Sequence, residues 1–440
     1  MANALTAPLR IELQEYGAPV VRKVEELNLR ALAEANMRWK KALGLSSDPI
    51  RVEDIGNGLV KLRAEAVTGV IRVGNTDIEI APKFLNASDR NWQTVLWRIL
   101  TVVEGGLVDD NLTSARNLAS LSLPDLLAEI FLSSYAKGAA CGMPRSYKVE
   151  QASGHTLRGS LDSTRLGEWF CRPWTVPYIS DLITDDTPLA RLIRWSAECL
   201  AATVKSFDRS RALREIAAEL THIGRQPPHL LDAQRINIGI QHRGLDAARM
   251  VGILLLEGAG VSHANGDHAL FGFLWNSDVI YENYVYWLCR RAASKRGKRI
   301  NKGVIKFGEV ISGSGSRLET TPDVVFRDSQ GTPVAVTDSK YKRLGSRPKS
   351  PDTYQVLTAG HVLGCSRVSL TYPVAIFREP TVWYVPSTLG GAAIELTALP
   401  LNLMGLTIPD GPENLIDIIA AWLDGELVPK SFDSEIAHTI

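Results

Sequence analysis

"TPDVVFRDSQGTPVAVTDSKYK", Thr321 to Lys342, decides the reading of this chain. It reads as two strands joined by a tight turn. The first strand begins with an aspartate, Asp323, directly after Pro322, and the second ends in Asp338, Ser339 and Lys340 where the apolar pattern gives out. Side chains alternate along a strand, so Asp338 and Lys340 share a face. Two carboxylates on neighbouring strands can hold one Mg²⁺, a hard cation that prefers oxygen ligands and keeps several of its waters. A lysine beside them can orient a metal-bound water and offset charge growing on a phosphate. Aspartates also end strands and cap turns, so the spacing alone leaves a structural role open.

The segment before the hairpin, Asn276 to Arg296, has helical spacing, with Ser277 as candidate cap. Ile280, Tyr284, Tyr286, Trp287 and Leu288 outline a broad apolar face, and Glu282 falls inside it. A buried lone carboxylate is costly unless paired or bound to metal, so Glu282 is expected as a third ligand beside Asp323 and Asp338. A strand over Val304–Glu309, the two hairpin strands, a helix over Thr353–Leu363 and a strand over Val368–Tyr372 follow in order.

Working outward, 440 residues suggest two or three domains. With 45% hydrophobic and 22% charged residues the composition is globular, and a net charge of +1 requires any nucleic-acid contact to come from local clusters. Five scattered cysteines (Cys141, Cys171, Cys199, Cys289, Cys365) form no CxxC pair, so neither a disulfide framework nor a zinc ribbon is expected. The eight histidines show no zinc-ligand spacing. The opening "MANALTAPLRIEL" lacks an export pattern, and the longest apolar run, Met250–Val261, contains a glutamate and is too short for a bilayer. A cytoplasmic location is the expectation.

The fold class expected is α+β or α/β and multidomain. A β-rich N-terminal region spans 1–110, with helix over Val20–Leu43 and antiparallel strands over Ile50–Phe84. A mainly helical middle region spans 111–264, with a strand pair at 145–162 and a long helix capped by Thr187 with Pro188 at its first position. The C-terminal region, 265–440, holds a mixed sheet flanked by helices.

The hairpin resembles the PD-(D/E)xK nuclease superfamily, with Pro322-Asp323 as the first half of the motif and Asp338-Ser339-Lys340 as the second. The resemblance gives Glu282 and Gln355, on the flanking helices, the remaining site positions. "RLETTPDVVF", "AVTDSKYKRL" and "DTYQVLTAGHVLG" further resemble the McrC family, the nuclease subunit of McrBC-type modification-dependent restriction systems. So do "GVIRVGNTDIEIAPKF" (69–84), "KGAACGMPRSYKVEQASGHTLRGSLD" (137–162) and "DTPLARLIRWS" (186–196). The likeness implies an Mg²⁺-dependent endonuclease, with Mn²⁺ as a possible substitute, acting on modified double-stranded DNA.

It also implies a partner. No GxxxxGK[ST] occurs, so nucleotide hydrolysis falls to a separate McrB-like AAA+ GTPase or ATPase motor, bound and stimulated by the N-terminal half. The "IEIAPKF" and "RGSLD" segments are the expected motor contacts, and Arg145 and Arg158 are candidates for the stimulating residue. "RRAASKRGKR" (290–299) is either a DNA-tracking cluster or a helix end matched to its dipole. The Gly/Ser-rich stretch 311–319 reads as a hairpin tip near DNA. A free-standing repair or recombination nuclease and an idle adaptor regulating an AAA+ ring are the alternatives; a neighbouring motor gene separates the first from the reading above, and intact Asp323, Asp338 and Lys340 argue against the second.

Overall fold

The computed structural model describes residues 9–73, 76–85, 91–103, 122–140, 142–257, 270–308, 318–386, 393–408 and 410–427. The Gly/Ser-rich stretch expected near DNA therefore lies outside the described residues up to Arg317, as do Cys141, His263, His268 and His438. The chain divides into two compact units, residues 1–123 with 261–440 and residues 124–260.

In the first unit, β1 (Leu9–Gln14) pairs in parallel with β6 (Thr76–Ala81), while β2 (Val20–Lys23), β4 (Leu59–Ala64) and β3 (Ile50–Gly56) form a separate antiparallel sheet. Helix α1 (Leu29–Ala42) starts at Asn28, whose side chain accepts the Ala31 amide, and buries Leu32, Ala35 and Trp39. β5 (Val67–Val73) lies beside β6, and α2 (Asn91–Val103) follows. β6 is buried along its length, with its two acids paired inside the unit: Asp77 with Arg72 at 2.6 Å and Glu79 with Arg10 at 2.8 Å. The "IEIAPKF" segment expected to face a motor is thus a central strand and its exit.

The second unit contains α3 (Leu123–Ala139), which begins one residue before it, and a sheet of β7 (Ser146–Gly154), β8 (Ser160–Leu161) and β9 (Val176–Thr184). The strand pair expected within 145–162 does not form. β7 pairs with β9 along its full length, and β8 adds to the other side of β9, because β9 offers nine residues of ladder and β8 only two. Helix α4 (Leu166–Cys171) precedes β9; α5 (Pro188–Thr203), α6 (Phe207–Glu219), α7 (Leu230–Gln234) and α8 (Asp246–Glu257) follow. Thr187 caps α5 through the Ala190 amide, with Pro188 in the first turn, as the sequence indicates.

The chain then re-enters the first unit. β10 (Leu270–Asn276) pairs antiparallel with β5, completing a sheet in the order β1-β6-β5-β10. Gly69 makes this possible: its φ is +140°, and a Cβ there would lie 1.9 Å from the Phe273 carbonyl oxygen. The regions 1–110 and 265–440, separated in the sequence reading, therefore share a sheet and belong to one unit.

Helix α9 (Ser277–Lys295) is capped by Asn276, whose side chain accepts the Asp278 and Val279 amides, and not by Ser277. β11 (Arg299–Asn301), β12 (Ile305–Gly308), β13 (Leu318–Thr320), β14 (Val324–Arg327), β15 (Pro333–Ser339), α10 (Ser350–Leu363), β16 (Arg367–Val374), β17 (Thr381–Val385), β18 (Ile394–Asn402) and α11 (Gly411–Asp424) complete the chain. β12 and β13 form a two-stranded ribbon; the rest make a mixed six-stranded sheet, ordered β11-β14-β15-β16-β18-β17. β15 and β16 are parallel, so α10 is their crossover. Val336 of β15 packs with Val356 and Ala359 of α10, which puts the Asp338 face of β15 toward that helix.

Candidate active site

The hairpin strands pair with Val324 opposite Thr337, which carries the next residues, Asp323 and Asp338, to adjacent positions at the same end. Asp323 precedes β14 and does not lie within it. Its Oδ2 accepts the Ser339 amide at 2.7 Å and the Ser339 hydroxyl. Asp338 is 2% exposed. Burial first, and the neighbouring Asp323 charge second, push its carboxyl above the ordinary range, against the pull of Lys340. Lys340 meets Asp338 Oδ2 as an ion pair, yet among the described residues that oxygen accepts no hydrogen bond of regular geometry. Lys340 Nζ also donates to Gln355 Oε1 at 3.1 Å and stands 3.9 Å from Asp352 Oδ1. Four of the five residues singled out in the sequence thus converge: Asp323, Asp338, Lys340 and Gln355.

Glu282 does not fit its expectation. The buried stripe of α9 runs through Tyr281, Tyr284, Val285, Leu288 and Cys289, so of the face read from the sequence Tyr284 and Leu288 are buried while Ile280, Tyr286 and Trp287 are only partly so. A step of one residue turns a helix by about 100°, so Glu282 falls beside the stripe. Its side chain is 35% exposed and is paired with Lys302. Among the described residues no group of three His, Cys, Asp or Glu side chains is placed to hold a metal ion. Lys302 still belongs to the neighbourhood. Glu282 chiefly, with further help from the Asp323 and Asp338 charges, holds its ammonium above the usual range.

Asp323 and Asp338 remain as a two-carboxylate donor set, with one oxygen free of regular hydrogen bonds. Mg²⁺ is commonly bound by one or two carboxylates together with waters and substrate phosphates, so these residues fit such an ion.

Two participants, Asp352 and Lys302, are absent from the sequence reading, and Ser339 stands there only as a member of the motif. Asp352, 6% exposed, accepts Lys342 Nζ at 2.8 and 3.0 Å. Its spacing of three from Gln355 was the available signal, since such residues share a helix face. Lys302 and Ser339 carried no comparable pattern. Lys342 lies beyond the end of β15.

The basic run 290–299 is largely spent on structure. Lys295 pairs with Glu413 and Asp417 at 2.7 and 2.9 Å, Arg296 and Lys298 pair with Asp424, and Arg291 lies over the Trp287 ring. Cations at the end of α9 therefore meet the acids of α11.

In the other unit, β7 and β9 expose an apolar face. Tyr147 and Ile183, directly opposite each other, are 75% and 63% exposed, and Val149, Phe170 and Trp174 are also exposed. Arg145 and Arg158 are exposed too, and neither has an ion-pair partner among the described residues.

A family model described as "McrBC 5-methylcytosine restriction system component" matches residues 62–373. A chain of the Thermococcus gammatolerans assembly of McrB AAA+ hexamers with bound McrC is similar in fold, with TM-score 0.60 and 17% identity over 93% of this chain and 99% of that one. A chain of the Thermococcus gammatolerans McrBC complex aligns at TM-score 0.45 and 15% identity, over 64% of this chain and 88% of that one. No curated protein matches the chain. Among the described residues no helix is long and apolar enough to cross a membrane.

Proposed function

The chain belongs to the McrBC 5-methylcytosine restriction system component family, and from that membership we propose that it is the DNA-cleaving subunit of such a system, a PD-(D/E)xK endonuclease dependent on Mg²⁺ and working with a separate AAA+ motor. The observation that carries this reading is the buried Asp338 carboxylate, set beside Asp323 across the hairpin and facing the Lys340 ammonium.

Asp323 and Asp338 would hold the ion. When bound, Mg²⁺ would supply a Lewis acid that polarises the phosphate and makes a coordinated water more acidic. Ser339 holds Asp323 in place through two hydrogen bonds. Gln355 and Asp338 hold Lys340, whose ammonium is directed to the charge that builds on the phosphate as the P–O bond breaks. Glu282 and Lys302 form an outer pair that tunes the local field and does not ligate. Mn²⁺ would suit the same oxygen donors.

Partnership with a McrB-like motor follows from two features. The chain carries no P-loop, and the related assembly joins McrC to McrB AAA+ hexamers. The exposed β7–β9 face of the second unit, bearing Tyr147, Val149 and Ile183, is where we place the motor contact, since solvent-facing aromatic and branched side chains in such a patch mark protein interfaces. The test is cleavage of modified double-stranded DNA by the purified chain with its motor, nucleotide and Mg²⁺, against Asp338→Ala in parallel. Cleavage by wild type and none by the variant supports the reading; equal cleavage refutes it.

A further inference from the structure

Lys340 is followed by a tyrosine that the nuclease reading leaves unexplained. Tyr341 is 7% exposed, and its hydroxyl donates to Glu15 Oε2 at 2.6 Å. The two residues are 326 positions apart, one directly after β1 and the other directly after the proposed catalytic lysine. Glu15 is 1% exposed; its Oε2 also accepts the Lys83 amide at 3.2 Å, and its own amide donates to Ala81 O at 2.9 Å. The N-terminal sheet therefore fixes this carboxylate rigidly. Phe84 meets the Tyr341 ring edge-on at 5.6 Å, Tyr281 lies 5.6 Å away, and the Lys83 ammonium stands 3.7 Å above the ring. Arg343 is gripped as well, donating to Lys83 O at 3.0 Å.

On the other side the Lys340 amide donates to Thr371 O of β16 at 2.9 Å, and the Lys342 amide turns back to Lys340 O at 2.7 Å. The chain from Lys340 to Arg343 is thus held between β16 and the exit of β6. A buried carboxylate is a costly way to anchor a ring that three neighbours already pack. Among the described residues its Oε1 has no hydrogen-bond partner, and burial above all drives its carboxyl to about 7. What the carboxyl group adds beyond packing is direction, because its Oε2, itself held by the Lys83 amide, accepts a short hydrogen bond that fixes the hydroxyl, and with it the backbone, in one place.

We propose that Glu15 is a positioning residue for DNA cleavage, acting through the Tyr341 hydroxyl to fix the backbone that carries Lys340. This rests on the nuclease reading. It also assigns the "APKF" segment a role beside the active site, not at a motor.

The test uses the full chain with its motor and modified DNA. Tyr341→Phe keeps the ring and its packing, so it is the primary variant. The expected result is a fall in kcat of about tenfold, the scale of one buried hydrogen bond, with KM for DNA and stimulation of nucleotide hydrolysis unchanged. Glu15→Ala should match it, the double variant Glu15→Ala/Tyr341→Phe should lose no more than either single one, and Glu15→Gln, which keeps an acceptor, should restore most of the rate. Wild-type kcat in Tyr341→Phe, a double variant that multiplies the two single losses, or a Glu15→Gln no better than Glu15→Ala each overturns the proposal. Asp338→Ala is measured alongside. If it still cuts, the nuclease reading itself fails; if it is dead while Tyr341→Phe is wild type, only the positioning role fails.

Discussion

Asp323 is tied to the residue between Asp338 and Lys340: its Oδ2 accepts the Ser339 amide at 2.7 Å, so the first carboxylate locks the end of the strand that bears the other two groups. Asp323 thereby has two separable jobs, charge for a cation and acceptor for Ser339. Asp323→Asn keeps an oxygen acceptor but loses the charge, so cleavage should vanish while thermal stability holds. Asp323→Ala loses both and should cost about 1–2 kcal/mol of stability besides. Calorimetry with cleavage assays on both variants checks the split; equal stability of the two would contradict it.

Lys340 and Lys342 should differ sharply. Lys340 faces Asp338 and Gln355, whereas Lys342 is engaged by Asp352 at 2.8 Å. Lys340→Ala should lower the cleavage rate by roughly 100-fold or more, as for removal of one preorganised charge-stabilising group. Lys342→Ala should lower it by less than about tenfold, the scale of one weakened charge contact. Single-turnover rates compare them directly, and similar losses would show that Lys342 is freed for substrate.

Glu282 is paired with Lys302 where both are partly solvated, at 35% and 49% exposure. Glu282→Gln should therefore change stability by less than about 1 kcal/mol. Cleavage should weaken several-fold and still respond to Mg²⁺, because the ligand pair stays intact. A complete loss of metal-dependent cleavage would restore Glu282 as a ligand.

Glu15 makes stability depend on pH. Its carboxyl rises from an ordinary 4.5 to about 7 on folding, mainly by burial, with Lys83 and the Tyr341 hydroxyl pulling it down and Asp278 pushing it up. The folded state thus binds more protons than the unfolded one between these values, so this contribution is full below pH 4.5 and is lost as pH climbs through about 7. Glu15→Gln removes that slope. Its melting temperature relative to wild type should rise from pH 4.5 to 7 and level off above, a change on the order of 3 kcal/mol at about 1.4 per pH unit. Parallel melting curves across that window would contradict the assignment.

On the β7–β9 face, Tyr147 and Ile183 are 75% and 63% exposed, so replacing both by serine should leave stability within about 0.5 kcal/mol. The double variant should nonetheless lose binding to the motor and stimulation of its hydrolysis. Unchanged stimulation would place the contact elsewhere.

Local patterns made part of this molecule legible. The hairpin could be read because its turn residues separate two apolar runs, and alternation put Asp338 and Lys340 on one face. The Thr187–Pro188 helix start followed from the same kind of local chemistry. Glu282 departs from the sequence reading because α9 carries aromatic residues on several sides, and its buried stripe includes Tyr281 and Val285 where the sequence pointed to Ile280 and Tyr286. The pairing of β10 with β5, the use of β9 as the partner of β7, and the Glu15–Tyr341 bond join segments remote in sequence, and no window of residues encodes them. Asp352 lay within reach through its spacing from Gln355, but its partner Lys342 is ten positions away and shares no helix-face pattern with it.

The central claim is that the Asp323–Asp338–Lys340 constellation cuts DNA as a unit distinct from the motor-stimulating surface. The most direct measurement mixes Asp338→Ala chain with motor, nucleotide, Mg²⁺ and modified double-stranded DNA, and records strand breaks and nucleotide hydrolysis in one reaction. The account predicts no breaks and wild-type stimulation of hydrolysis. Breaks at the wild-type rate would contradict it.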